Sequence, residues 1–194
     1  SCYPLHPVAA AVLPELCSRY GQNERTLFSF LTGPDPAAVP AFLARAEVNK
    51  NALPVIGLPE IYDYFVAGGV VGTAPGTYAS RWTEIATRLR DAHGLTDEET
   101  ALAKSIAVLN LVSSSGTLRA SDEILKLVHS KPTPSLKRLA AASLITYRDF
   151  ADEYRVWQGS DINLRAHIDA AQKRNAKNDL VDVLNSVAEP KPVV

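Results

Sequence analysis

Residues 144–160, LITYRDFADEYRVWQGS, limit the fold more than any other stretch of this 194-residue chain. The run reads as two short strands around a polar turn at Ala151, Asp152 and Glu153. Thr146, Tyr147 and Phe150 lie on the first arm, and Tyr154, Val156 and Trp157 on the second. β-Branched and aromatic residues of this kind suit strands. Every other clear period in the chain is helical. A lone two-stranded ribbon is only marginally stable in water, so this hairpin must lie against helices. The preceding segments supply them. Ser121 is placed to cap a helix running to Val128, and Pro134 to open another through LKRLAAAS. Leu136, Leu139 and Ala140 fall on one side of that second helix. Helix, helix, hairpin is the chain order of a winged helix. Trp157 is expected to anchor its core, because large aromatics carry much of the burial in so small a lobe.

Composition narrows the class. The chain is 46% hydrophobic and 21% charged with a net charge of -1, which suits a folded globular protein. Dedicated nucleic-acid binders are more often visibly basic. No apolar run is long enough to cross a bilayer, and SCYPLHP lacks the basic segment and apolar core of a secretory signal. No membrane partner is expected. Cys2 and Cys17 are the only cysteines and form no CxxC pair, so a reducing, cytoplasmic compartment is expected. The absence of methionine makes a piece of a longer polypeptide the expectation.

The helical signals divide into two expected lobes, 3–94 and 95–188. In the first, 8–20 is apolar and alanine-rich, with Pro14 expected to bend or restart the helix. Asn23 is a good cap for 24–31, which Gly33 and Pro34 stop. Pro36 or Pro40 starts a helix through Ala46, and Pro59 starts one carrying Ile61, Tyr62, Phe65 and Val66. Glycines from Gly68 to Gly76 break the pattern. Trp82, Ile85, Ala86 and Leu89 then recur at helical spacing in 77–92. The second lobe opens with Thr96 before Asp97, Glu98 and Glu99, a capping box with acidic residues in the first turn. Leu102, Ile106, Leu109 and Val112 form its stripe. A final amphipathic helix is expected from Ile162 toward Val187.

No GxxxxGK[ST] loop, GxGxxG turn or GxSxG elbow is present. His6, His93, His129 and His167 are scattered, so no metal site is expected from them. Cys17 lies beside Leu13 and Leu16 and reads as a small buried apolar residue rather than an activated thiolate. Three groups carry possible chemistry. In GQNER, Arg25 sits in the first turn of a helix behind Gly21. Free amides at a helix start attract anions, and arginine adds a forked donor. The plainer alternative is a capped helix with a solvated Glu–Arg pair. In YPLHP, two prolines stiffen an extended segment and hold Tyr3 and His6, either as one edge of a nucleotide site or as a rigid lead-in. Around the second helix and wing, Lys131, Lys137, Arg138 and Arg148 can face DNA phosphate. Asp149, Asp152, Glu153 and Asp161 oppose them, which favours a mixed-charge surface.

Four runs carry a family resemblance: YPLHPVAAAVLPELCSRYGQNERTLFSFL, SRWTEIATRLRD, ALAKSIAVLNLVSSSGTLRAS and LITYRDFADEYRVWQGSDI. From Tyr3 to about Leu184 the chain resembles the region after the ATPase core of large bacterial P-loop ATPases, AAA+-like or STAND-like, several of them linked to phage defence. The resemblance implies a mainly α fold: a helical lid-like lobe, then a winged-helix lobe with one small β-hairpin. It implies that Arg25 senses a nucleotide phosphate and that His6 and Pro7 border the nucleotide-binding domain. ATP or ADP and magnesium are then expected on that N-terminal domain of the same polypeptide, with no cofactor in this chain. The Walker motifs are missing here, so the chain is not expected to be an enzyme. It reads as a regulatory fragment that couples nucleotide state to domain movement. The alternatives are a DNA-binding winged-helix regulator and a protein-interaction scaffold.

Overall fold

The computed structural model describes residues 2–21, 24–47, 53–67, 76–113 and 118–157. The expected cap at Asn23, the breaks at Gly68, Gly69 and Gly72, and the helix expected over 162–187 lie outside these residues. Among the described residues, eight helices and one antiparallel hairpin make a mainly α fold. The elements are α1 (Pro7–Tyr20), α2 (Glu24–Thr32), α3 (Val39–Arg45), α4 (Leu58–Ala67), α5 (Gly76–Asp91), α6 (Asp97–Val112), α7 (Asp122–Val128) and α8 (Pro132–Ala141), followed by β1 (Ile145–Arg148) and β2 (Glu153–Val156).

The N-terminal segment is tied to the chain ahead of α4. Ile56 N–H donates to Pro4 O at 2.8 Å, and His6 N–H donates to Ile56 O at 2.9 Å, in a parallel bridge. This pairing places the starts of α1 and α4 side by side. Helix α1 begins at Pro7, where a missing N–H costs nothing, and the His6 Nδ1 accepts from Val8 N–H at 3.3 Å. It runs on through Pro14 without the expected restart. Val12, Leu13, Leu16, Cys17 and Tyr20 are buried on its inner side, and that burial holds the helix across the proline.

Aromatic rings fill the core between α1, α4 and α5. Trp82 lies 5.6 Å from Tyr62 in a stacked arrangement, 5.7 Å from Tyr20 and 6.1 Å from Phe65. Phe30 on α2 meets Tyr64 edge-on at 4.8 Å. Offset and edge-on arrangements of this kind add to the energy of burial.

Helix α6 is the hub. Its N-terminus carries the expected capping box: Glu99 N–H donates to Thr96 Oγ1 at 3.3 Å, and Thr96 N–H donates to Glu99 Oε2 at 2.9 Å. Its apolar face is wider than the expected stripe, because every residue from Ser105 to Val112 is buried. Neighbours on several sides explain this: α6 packs against α1, α4, α5, α8 and β2. One continuous hydrophobic cluster therefore runs from Val8 to Val156, across the boundary expected near residue 94. By contacts, Ser1–Gln158 is one compact unit.

Helices α7 and α8 follow α6, with Ser121 Oγ accepting from Ile124 N–H at 3.4 Å to cap α7. Helix α8 opens at Pro132, ahead of the expected Pro134. Pro134 falls in the first turn, whose N–H groups have no helical partner in any case. The hairpin turn is also shifted: it occupies Asp149, Phe150, Ala151 and Asp152, and Glu153 belongs to β2. Asp152 has φ 48, the left-handed geometry that lets a short loop close a hairpin. Phe150 stands at the tip, 88% exposed.

The outer edge of β2 is covered by side chain and loop. Asn110 on α6 donates from Nδ2 to Tyr154 O at 2.8 Å and accepts Val156 N–H at its Oδ1 at 2.9 Å. Tyr154 N–H donates to Ala120 O at 2.9 Å. A buried amide thus takes the place of a third strand. Ile145 and Val156, paired across the ribbon, turn inward onto the helices. Trp157 does not anchor this core as expected. It is half-buried just past β2, where its N–H extends the ladder to Leu144 O at 2.9 Å. The short side chains of Ile145 and Val156 already fill the space beneath the ribbon, and the buried tryptophan is Trp82.

Asn110→Leu is expected to destabilise the protein by about 2 to 5 kcal/mol, because it orphans two backbone groups of β2 at about 1–3 kcal/mol each. Urea melts with hairpin-specific hydrogen exchange check this; an unchanged midpoint contradicts it. Trp82→Ala is expected to cost about 3 to 5 kcal/mol. Single-tryptophan variants separate the two rings: the protein retaining Trp82 should emit blue and resist iodide, and the one retaining Trp157 should be quenched more readily.

Candidate functional site

The structure separates the residues that the sequence groups as nucleotide-sensing. His6 caps the N-terminus of α1, and Pro7 is the first residue of that helix. Arg25 lies in the first turn of α2, which follows the other end of α1. The 14 residues of α1 make it about 21 Å long, so His6 and Arg25 stand at opposite ends of a helix. They do not form one constellation.

At the first end, His6 and Glu60 lie close enough to His129 to act on it. His129 closes α7, and its Nε2 lies 2.9 Å from Ser105 Oγ on α6. The Ser105 hydroxyl donates to Ala101 O at 3.0 Å, so the pair calls for Nε2–H donating to Oγ. Glu60 accepts Gly57 N–H at Oε2, 2.8 Å, closing the start of α4. Burial lowers the His129 pKa from the usual 6.5; His6 pushes the same way and Glu60 opposes. The imidazole is therefore held neutral. Among the described residues, no three His, Cys, Asp or Glu side chains form a group that could hold a metal ion.

At the other end of α1, α2 presents a different surface. Thr26 and Phe30 are buried, which turns Arg25, Phe28 and Leu31 outward at helical spacing. Phe28 is 69% exposed. Gly21 approaches Thr26 closely: a Cβ on Gly21 would sit 2.6 Å from Thr26 Oγ1, so glycine suits this position. Arg25 thus stands one turn from an exposed aromatic ring, Phe28.

The basic residues around α8 and the wing do not make one phosphate-facing stripe. Lys131 and Lys137 are exposed. Arg138 reaches back to the buried Glu99, Nε to Oε1 at 2.9 Å, and ties α8 to the start of α6. Arg148 is half-buried and pairs in register with Glu153. Asp149 and Asp152 are exposed on the wing, where Asp152 also accepts from Tyr147 OH at 2.6 Å.

A cationic cluster that sequence reasoning missed gathers at the last turn of α6. Arg81 from α5 donates to Asn110 O at 3.3 Å, Arg19 from α1 to Leu111 O at 3.2 Å, and Arg155 from β2 to Ser113 Oγ at 3.3 Å. Tyr20 OH also donates to Leu111 O at 3.4 Å. The cluster draws one arginine from each of three elements far apart in sequence, so no local motif announces it. Helix C-termini favour cations, which accounts for its position.

Cys17 is buried, and desolvation raises its thiol pKa to about 11. It is protonated at neutral pH, in keeping with the small apolar residue expected. No helix among the described residues is long and apolar enough to cross a membrane. No protein-family model matches the chain, and no curated protein and no solved structure matches it significantly.

The His129 environment sets a pH dependence. Its folded pKa lies below the unfolded value of 6.5. Between the two, the unfolded chain binds more protons, so stability is full above about 6.5 and falls as pH drops through that value. His129→Gln keeps a donor for Ser105 and removes the titration. It should flatten the acid side of the stability profile between about pH 7 and pH 5.5, as read from urea midpoints. A parallel fall in both proteins would assign the acid loss elsewhere.

Proposed function

We propose that this chain is the regulatory portion of a larger nucleotide-dependent P-loop ATPase, turning nucleotide state into domain movement. The observation that carries the reading is the outer face of α2, where Arg25 stands beside the exposed Phe28 and Leu31. A cationic donor at a helix start, with apolar surface on the same face, suits a phosphate-bearing domain docked there. In this reading the occupant is a nucleotide-binding domain of the same polypeptide. That domain holds ATP or ADP with magnesium and carries out hydrolysis, and this chain carries no catalytic step. His6 and Pro7 act from the opposite end of α1 as the rigid lead-in that positions the helix. Differential contact of Arg25 with the two nucleotide states supplies the free energy that moves one domain against the other. A cytoplasmic setting belongs to the same proposal and is supported by two free cysteines, one exposed and one buried. A role alongside phage-defence ATPases rests on the sequence resemblance alone.

A DNA-reading role has weaker support. Of the four candidate cations, Arg138 is engaged by Glu99 and Arg148 lies half-buried on β1, leaving Lys131 and Lys137 exposed, with Asp149 and Asp152 exposed on the wing. The helix, helix, hairpin order then serves packing rather than groove insertion.

Hydrogen exchange on the full-length polypeptide tests the proposal. Peptides covering α2 should differ in protection between ADP and a non-hydrolysable ATP analogue. Arg25→Ala with Phe28→Ser should abolish that difference while leaving stability within about 0.5 kcal/mol, as expected for surface substitutions. Equal protection in both states, or a full-length sequence without a P-loop, overturns the reading.

A further inference from the structure

The arginine cluster at the end of α6 holds more positive charge than its neighbours neutralise. Arg19 pairs with Glu15 at 2.6 Å, and Arg155 pairs with Glu153 at 2.6 Å. Arg81, at the same helix end, has no carboxylate at salt-bridge distance among the described residues. Its contact is the carbonyl of Asn110, made through Nη2. Arg148 lies near enough to add to the field. Among the described residues, Arg19 and Arg155 thus each meet a glutamate, while Arg81 meets a carbonyl.

This arrangement is unfavourable on its own terms. Burial holds the Arg81 guanidinium below the usual arginine range, and the Arg155 and Arg148 charges push it the same way. Tyr20 and Glu153 offset part of this. The negative end of α6 offsets a further part, equivalent to about half an elementary charge. A guanidinium carries a fork of several N–H donors, and Arg81 spends one nitrogen on Asn110. The rest of the fork remains on a half-buried side chain that still reaches solvent. Forked donors suit tetrahedral oxyanions, and charge-assisted bonds of this type are stronger than neutral ones.

We propose that Arg81, with Arg19 and Arg155 flanking it, forms a binding site for a phosphate group at the C-terminal turn of α6. The site is separate from the α2 face and does not rest on the function proposed above. The shared chemistry is a multiply charged phosphate, carried either as a free oxyanion or by a nucleotide. The elements that supply the arginines, α1, α5 and β2, each send one to the last turn of α6 or to Ser113 just beyond it. A bound phosphate would cross-link them.

Thermal unfolding of the full chain tests the site, with inorganic phosphate, pyrophosphate and ATP titrated against sodium chloride at equal ionic strength. A saturable rise in melting temperature with phosphate or pyrophosphate, absent with chloride, is expected. Arg81→Met should weaken apparent binding by tenfold or more, and Arg81→Lys should recover part of it. Arg90→Met, an exposed arginine on the same helix bonded to Thr87, should bind as the wild type. If Arg81→Met fails to fold, Arg155→Met read by isothermal titration takes its place, with the same loss expected. A larger gain with ATP than with pyrophosphate assigns the phosphate to a nucleotide, and equal gains assign it to the oxyanion alone; either supports the site. No saturable binding, or equal binding by wild type, Arg81→Met and Arg155→Met, overturns it. Equal weakening in Arg81→Met and Arg90→Met also overturns it, because that reports net charge and no site.

Discussion

The carboxamide of Asn110 decides where the hairpin lies. A two-stranded ribbon exposes hydrogen-bonding groups along both outer edges and cannot bury enough apolar surface to stand alone. Here the edge of β2 finds Nδ2 and Oδ1 of one buried side chain on α6, with Ala120 O taking the remaining N–H of Tyr154. These bonds pin register as well as position. A shift of one residue along β2 would turn Ile145 and Val156 away from the helices and present the wrong backbone groups to Asn110. A polar residue inside an apolar helix is tolerated because both of its functions are satisfied.

The same helix joins what lies on either side of it. Lys104 on α6 reaches Asp63 on α4 at 2.7 Å, and Glu99 at its start receives Arg138 from α8. Its last turn receives side chains from α1, α5 and β2. The described helices and the hairpin all contribute to one hydrophobic cluster. The C-terminal end of α1 meets the last turn of α6, and α2 follows α1 in the chain. Tyr20 OH donates to Leu111 O there. On the proposed reading, a domain docking on α2 pulls against the same end of α1 that Arg19 and Tyr20 fasten to α6.

Much of the local architecture was legible. Thr96 followed by Glu99, Ser121 before an apolar run, and prolines at helix starts all act through backbone groups within a few residues, so spacing alone reveals them. The hairpin was legible for the same reason, though its turn lies two residues earlier than its polar composition suggests. Phe150 looked like a strand residue by type, yet it occupies the tip, because the left-handed geometry at Asp152 closes the loop there. The candidate site was less legible. Arg25 keeps its expected place at a helix start. His6 and Arg138 carry charge or polarity that the fold uses internally, for a helix cap and for an ion pair with buried Glu99. Residue type cannot distinguish a cation that waits for a ligand from one already paired across the core.

By itself, the sequence determined a mainly helical chain ending its described part in one small hairpin, because helical periods, caps and β-branched runs are local signals. Only the tertiary structure decided that α6 is buried on nearly every side, since that depends on how many neighbours surround it. It alone decided that Trp82 rather than Trp157 fills the core, because burial is a property of the packed space and not of the ring. It alone brought Arg19, Arg81 and Arg155 to one helix end, from positions whose separation in sequence carries no trace of their meeting. Local order follows from interactions between near neighbours, whereas a site built from distant residues exists only once the chain has closed around it.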